Sequence, residues 1–225
     1  ADKYSPAWLD FNTDGFLDLI MPRVGWDIDY TVYFNEKNTN YSGFPNAIDS
    51  ITNLLYIKPV DVDQDKDKDI VCTYKEPVGV DSYRAWTKIY TNTNNFVNQA
   101  PYFPSTLSSE IDSFTVILNW SKGFDKLTGY DGNTYNIWVG TESNTPDIVS
   151  PLSNLTTGYR YIEAPGNVGT NTTWKLENLP LGTYYWSVQT IDNSLTGSRW
   201  APVKSFTLSA LTANFETDTV CLGFD

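Results

Sequence analysis

The chain has 225 residues, a formal net charge of −12 and no histidine. The negative charge argues against nucleic acid or an anionic membrane as a partner and fits cation binding, while the lack of histidine removes the usual catalytic triads and most zinc sites. No enzymatic activity is therefore expected. Aromatic residues make up 15% of the chain, and the abundance of Thr, Asn, Val and Tyr favours an all-β fold.

The first motif along the chain is AWLDFNTDGFLDLIM, at positions 7–21. Four oxygen-bearing side chains stand at positions 1, 3, 5 and 9 of a loop within it: Asp10, Asn12, Asp14 and Asp18. Gly15 stands at position 6, where the chain must turn sharply. Oxygen ligands at this spacing can surround Ca²⁺, and the flanking apolar segments predict a β-strand on each side.

A second copy of the loop begins at Asp61, 51 positions after Asp10. The same four positions are occupied by Asp61, Asp63, Asp65 and Asp69. The later segments 31–35 and 87–92 also match, so the repeat is a whole β-unit. Two carboxylates 4 Å apart repel by about 4 kcal/mol at an effective dielectric constant near 20, so converging aspartates need a cation. The alternative is a solvated acidic turn.

The loops differ from an EF-hand, which needs helices and a glutamate at position 12, where Met21 and Cys72 stand here. Over residues 1–100 the chain instead resembles two FG-GAP or VCBS repeats, the blades of integrin-α-like β-propellers. The resemblance implies one Ca²⁺ in each loop, bound by the side chains named above and by the main-chain carbonyl groups of Phe16 and Asp67 at position 7.

Two expectations follow from the resemblance. Lys66 replaces the glycine that the family has at position 6, and a positive φ there costs about 1–2 kcal/mol, so the second loop is expected to be distorted or weaker. A propeller closes with roughly four to eight blades, so further blades are expected upstream of residue 1.

A second module begins where Pro101 and Pro104 end the repeat pattern. Short alternating segments separated by turn residues predict an immunoglobulin-like β-sandwich, and they lie at 114–120, 134–140, 172–179, 182–192 and 201–208. Residues 104–208 resemble a fibronectin type III domain, because a Leu179–Pro180 turn precedes a strand that carries Tyr184. Residues 209–225 are a linker or resemble the start of a PKD-type domain.

The aromatic residues of this module fall into two sets. Trp120, Tyr184 and Trp186 lie on the predicted inward faces, which indicates core packing and not a carbohydrate platform. Trp138 and Tyr185 have the opposite phase and are predicted to form a contact surface for a glycan or a protein ligand. Elsewhere in the chain, Cys72 and Cys221 either pair with each other or are free or partner-bonded thiols.

The predicted function combines these features. No apolar run reaches the roughly 18 residues that a membrane span needs. Calcium loops of extracellular modules bind at about 10⁻⁴–10⁻³ M, which suits a secreted or cell-surface location. The sequence therefore predicts a non-catalytic, calcium-stabilised segment of a large secreted or cell-surface bacterial protein that acts in adhesion or binding. The alternatives are accessory modules of an extracellular hydrolase and a structural spacer.

Overall fold

The computed structural model describes residues 6–23, 29–35, 41–44, 54–93, 98–112 and 114–210. These residues form thirteen β-strands and no helix. The strands make four antiparallel sheets, so the predicted all-β class is confirmed. Within the described ranges, no helix offers the length and apolar character that crossing a bilayer requires.

The first sheet is a meander of four strands that hydrogen-bond in chain order. The strands are β1 (Ala7–Leu9), β2 (Asp18–Arg23), β3 (Asp29–Asn35) and β4 (Tyr41–Phe44). The first acidic loop connects β1 to β2, so its two ends are held together by the pairing of Leu9 with Asp18.

The second sheet repeats the first three strands of this arrangement. Its strands are β5 (Leu54–Val60), β6 (Asp69–Gly79) and β7 (Ser82–Tyr90). The second acidic loop connects β5 to β6, and Val60 pairs with Asp69 just as Leu9 pairs with Asp18. The sequence repeat is therefore also a repeat of strand register.

The two sheets share one hydrophobic core, to which each contributes buried side chains. Its members are Leu9, Phe11, Ile20, Val32, Ile57, Ile70 and Cys72. Cys72 forms no disulfide with any described residue, and the prediction for Cys221 lies outside the described ranges.

Two further sheets pack face to face and form a sandwich. One contains β8 (Leu107–Asp112), β9 (Thr115–Trp120) and β11 (Thr173–Leu176), and the other contains β10 (Thr134–Gly140), β12 (Gly182–Ile191) and β13 (Lys204–Leu208). Alternate residues of both sheets meet in a single core. Trp120, Tyr184 and Trp186 are buried in it, which confirms the prediction that they pack in the core.

The prediction of an exposed contact surface at Trp138 is wrong, because this side chain is only 1% exposed. The connection between β10 and β11 folds over the outer face of β10 and β12. Its Ser153 hydroxyl donates to Gln189 Oε1 at 2.8 Å, and Asn136 Nδ2 donates to Ser153 Oγ at 3.1 Å. A long connection therefore covers a face that strand periodicity alone would leave in water, and Tyr185 is partly buried.

Candidate metal centre

The aspartate at position 9 fixes the shape of each acidic loop. In the first loop, the main-chain N–H groups of Phe11 and Asn35 each donate to an oxygen of Asp18 at 2.8 Å. Asp18 is fully buried. One carboxylate therefore ties the start of the loop to the end of β3, and each donor is satisfied by a charged acceptor.

The second loop repeats these contacts. The N–H groups of Val62 and Asn92 each donate to an oxygen of Asp69 at 2.8 Å. Val62 lies 51 positions after Phe11, and Asn92 lies 57 positions after Asn35. The two loops therefore have the same scaffold, although the hairpin between β6 and β7 is longer than its counterpart.

The aspartates at positions 1 and 5 also accept corresponding hydrogen bonds. At position 1, Asp10 Oδ2 accepts from Gly15 N at 2.8 Å and Asp61 Oδ2 accepts from Lys66 N at 3.2 Å. At position 5, an oxygen of Asp14 accepts from Phe16 N at 2.9 Å, and an oxygen of Asp65 accepts from Asp67 N at 3.1 Å. These bonds turn the backbone around the carboxylates. They occur in both copies and in the same order.

Lys66 takes the backbone conformation of its glycine counterpart. Its φ is 80°, against 91° for Gly15, and both loops also have a positive φ at position 4, at Thr13 and Gln64. The expected distortion of the second loop at Lys66 is therefore wrong, and the expectation of weaker binding stays a prediction. The hydrogen bonds of the loop hold the strained residue in place.

The first loop needs glycine at position 6 for a second reason. A Cβ atom on Gly15 would lie 2.0 Å from the main-chain oxygen of Leu127 in the sandwich. No such close neighbour confronts Lys66, whose side chain is exposed. The two copies accept different residues at position 6 because their surroundings differ.

The second loop brings three predicted ligands together. Oxygen atoms of Asp61, Asp63 and Asp65 all lie within 4.8 Å of one another. Asp61 Oδ1 and Asp67 Oδ1 are buried and have no hydrogen-bond partner. Buried carboxylate oxygens without donors are costly, and a hard cation with oxygen ligands would satisfy them. The donor set of this loop therefore fits Ca²⁺.

The electrostatics of the second loop also favour a cation. Burial, together with the charge of Asp65, raises the pKa of Asp67 to about 7. Desolvation raises the pKa of Asp61 and of Asp63 as well, and neighbouring carboxylates add to the effect. A divalent ion would reverse this balance, because an adjacent positive charge favours the ionised form of each carboxyl group.

In the first loop the carboxylates are engaged mainly by N–H donors. Burial raises the pKa of Asp10 to about 7 and that of Asp18 to about 6, although the N–H groups that donate to them oppose the shift. Asn12 is neutral, and its Nδ2 donates to Asp14 Oδ2 at 3.1 Å. Among the described acidic groups, the trio that converges within metal-binding distance is that of the second loop.

The turn after β12 contacts the first loop, which the sequence did not indicate. Asn193 Nδ2 donates to the Gly15 carbonyl oxygen at 3.0 Å, and Ser194 Oγ lies 3.3 Å from Asp10 Oδ2. These partners are more than 170 positions apart in the sequence, so no local spacing could signal the contact. The inward side chain of Asp67 was also missed, because only its main-chain carbonyl was expected to take part.

Comparison with known proteins adds no assignment to this geometry. No family model matches the chain, and no curated protein matches it. The interpretation of the two loops therefore depends on their repeated hydrogen bonds and on the chemistry of their carboxylates.

Proposed function

We propose that the chain is a calcium-stabilised, non-catalytic segment of a secreted or cell-surface bacterial protein that acts in adhesion. In this proposal residues 1–100 are two FG-GAP/VCBS-like propeller blades and residues 104–208 are a fibronectin type III-like sandwich. The observation that carries it is the loop scaffold. The same hydrogen bonds recur in two copies, and in the second copy they surround converging carboxylates with buried oxygens that lack donors.

Calcium would be held in the second loop by the oxygens of Asp61, Asp63 and Asp65, with further oxygens from Asp67 and Asp69. In the first loop the ligands would be those predicted from the sequence, namely the side chains of Asp10, Asn12, Asp14 and Asp18 and the main-chain carbonyl group of Phe16. The ion would supply compensating positive charge, so its role is structural. Aspartates at position 9 would hold the loop in its binding shape before the ion arrives.

The blade assignment is supported by strand order and register. Propeller blades are four-stranded antiparallel sheets, and β1 to β4 form such a meander. The second unit repeats the registers of the first three strands. A shared core joins the two units, as expected for neighbouring blades.

The fibronectin-like assignment is supported by topology and by one hydrogen bond. One sheet takes the first, second and fourth strands of the module and the other takes the third, fifth and sixth, an arrangement found in immunoglobulin-like sandwiches. Tyr184 Oη donates to the carbonyl oxygen of Pro180 at 2.8 Å. This bond supports the assignment because it resembles the tyrosine corner of immunoglobulin-like sandwiches, and it lies at the predicted Leu-Pro turn.

Calorimetric titration of the full chain with CaCl₂ tests the proposal. We expect saturable binding with Kd of about 10⁻⁴–10⁻³ M, because extracellular calcium modules bind in that range. Asp63→Asn removes one charge from the converging trio and should weaken binding at that loop. Asp81→Asn, an exposed aspartate in the turn between β6 and β7, is the matched control and should leave the titration unchanged. Absence of calcium binding by the wild-type chain would overturn the proposal.

A further inference from the structure

A cleft of about 360 Å³ lies where the second acidic loop meets the sandwich. The loop contributes Asp61 and Lys66 to one side of the cleft. The sandwich contributes Tyr159, Arg160 and Arg199 to the other. Apart from Asp61, none of these side chains has a role in the proposed metal sites.

The charge of the cleft is opposite to that of the whole chain. Four cationic side chains line it, although the chain carries a net charge of −12: Lys66, Lys68, Arg160 and Arg199. Its two carboxylates are those of Asp61 and Glu163, and Lys68 Nζ is paired with Glu163 at 2.9 Å. Once this pair is set aside, three cationic side chains, those of Lys66, Arg160 and Arg199, face the single carboxylate of Asp61. A local excess of positive charge in a concave site attracts anions.

Arg160 is the unusual group in this set. Its side chain is 6% exposed, and no carboxylate of the described residues lies within ion-pair distance of it. Its Nη1 donates to Ser153 Oγ and its Nη2 donates to the Ala164 carbonyl oxygen, but Nε has no hydrogen-bond partner. Burial lowers the pKa of Arg160 to about 10, although the more distant carboxylates of Glu163 and Asp192 oppose the shift. A buried cation of this kind is costly unless an anion compensates it.

We propose that this cleft binds a carboxylate-bearing ligand, with Arg160, Arg199 and Lys66 providing the positive charge. A guanidinium group matches the planar geometry of a carboxylate, whereas an ammonium group acts as a point charge. Tyr159 is 50% exposed, so its ring can cover the body of the ligand. The volume lies within the range of small-molecule pockets, so an acidic sugar or an acidic amino-acid side chain would fit.

The cleft and the proposed calcium site are distinct, although they share the second loop. Tyr159, Arg160 and Arg199 belong to the sandwich, whereas Lys66 and Asp61 belong to the loop, and Asp61 is also a proposed calcium ligand. A cation at the second loop would neutralise Asp61 and make the cleft more positive. The anion is therefore titrated both in CaCl₂ and in calcium-free buffer without a carboxylate chelator, so that the two proposals can fail separately.

The test is an NMR titration of the ¹⁵N-labelled full chain at low ionic strength. Sodium glucuronate and N-acetylglutamate are the carboxylate probes, and glucose is the neutral control. We expect saturable shifts for the amides of residues 157–160 and 196–199 with at least one carboxylate, and no saturable shift with glucose. A response to glucuronate alone identifies an acidic sugar as the ligand class, and a response to N-acetylglutamate alone identifies an acidic side chain.

Charge-removing variants complete the test. Arg199→Gln and Lys66→Gln change exposed residues, so both variants should fold. Arg199→Gln should raise the Kd of the carboxylate probe about tenfold because a charge-assisted hydrogen bond is lost. Lys126→Gln changes charge equally at an exposed site that does not line the cleft, and it should leave the Kd unchanged. The proposal is overturned if neither carboxylate gives saturable shifts, if glucose gives the same shifts, or if Lys126→Gln weakens binding as much as Arg199→Gln.

Discussion

At the scale of single residues, position 6 of the two loops is a natural comparison. Gly15 and Lys66 have nearly the same φ, at 91° and 80°, yet only the first is confined by a neighbouring main-chain oxygen. A residue with a Cβ atom is strained at a positive φ, and glycine is not. The same backbone position should therefore respond in opposite ways to substitution.

We predict that Lys66→Gly stabilises the chain by about 1 kcal/mol, since relief of about 1–2 kcal/mol of strain exceeds the added entropy of the unfolded state. Gly15→Ala should destabilise the chain strongly, because the new Cβ atom would meet Leu127 O. Urea unfolding in EGTA measures both changes without a contribution from metal. Destabilisation by Lys66→Gly would show that the lysine side chain makes contacts that outweigh its strain.

The sequence predicted the positions of the loop carboxylates but not all of their roles. Spacing predicted that Asp18 and Asp69 are ligands, and the structure shows that each accepts two main-chain N–H groups. The second donor comes from the end of the third strand of each unit, well beyond the loop. A nine-residue pattern contains no information about that donor. Only the correspondence between Asn35 and Asn92 in the two repeats indicated where that donor lies.

At the scale of elements, the turn after β12 is organised by a buried aspartate. Asp192 Oδ1 accepts from Thr196 N at 2.8 Å, and Oδ2 accepts from Asn98 Nδ2 at 2.8 Å. Burial raises the pKa of Asp192 to about 7, with a contribution from Asp125, while Asn98, Thr196 and Lys68 oppose the rise. The folded state therefore binds a proton that the unfolded state has released at the same pH.

The raised pKa of Asp192 sets the sign of the pH dependence of folding stability. Because the folded pKa lies above the unfolded one, the stability that Asp192 contributes is full below pH 4 and is lost as the pH rises through about 7, by up to about 1.4 kcal/mol per unit. Asp192→Asn should flatten the dependence of the free energy of unfolding on pH between about 4 and about 7, measured by urea unfolding at saturating calcium. The exposed Asp81→Asn should not flatten it. Equal slopes for wild type and Asp192→Asn would contradict the prediction.

Strands in which apolar and polar residues alternate strongly were predicted well, and strands in which the alternation is weak were not. The segments 134–140 and 182–192 closely match β10 and β12, since both have an apolar face. The strand β8 was missed, because LSSEID is mostly polar and lies at the edge of its sheet, where little is buried. The predicted segment 201–208 begins as a strand only at Lys204.

At the scale of the whole molecule, the sandwich and the first loop are in contact. Asn193 and Ser194 reach Gly15 and Asp10, and Leu195 packs against the core of the first two sheets. The sequence predicted two modules but not this contact, since chain order says nothing about which surfaces meet. Any ion in the first loop would therefore also influence the turn at 192–196.

We predict that EGTA deprotects three segments in hydrogen exchange: both acidic loops and residues 192–196. The centres of β9 and β12 should change little, because their protection comes from the sandwich core. Ser194→Ala removes the hydroxyl next to Asp10 and should reduce the response at 192–196 while leaving the response of the second loop intact. An equal response throughout β9 would mean that EGTA unfolds the chain globally instead of loosening the loops.

The unequal surroundings of the two loops have an evolutionary consequence. In a duplicated unit, each copy can change only where its neighbours leave space. Position 6 of the first copy is closed by the Leu127 carbonyl, so nearly every mutation there should be purged, whereas the second copy already carries a long charged side chain at the edge of an open cleft. Sequence change in the first loop is thus restricted by its contact with the sandwich, whereas the second loop is the copy in which a new ligand-binding site can arise.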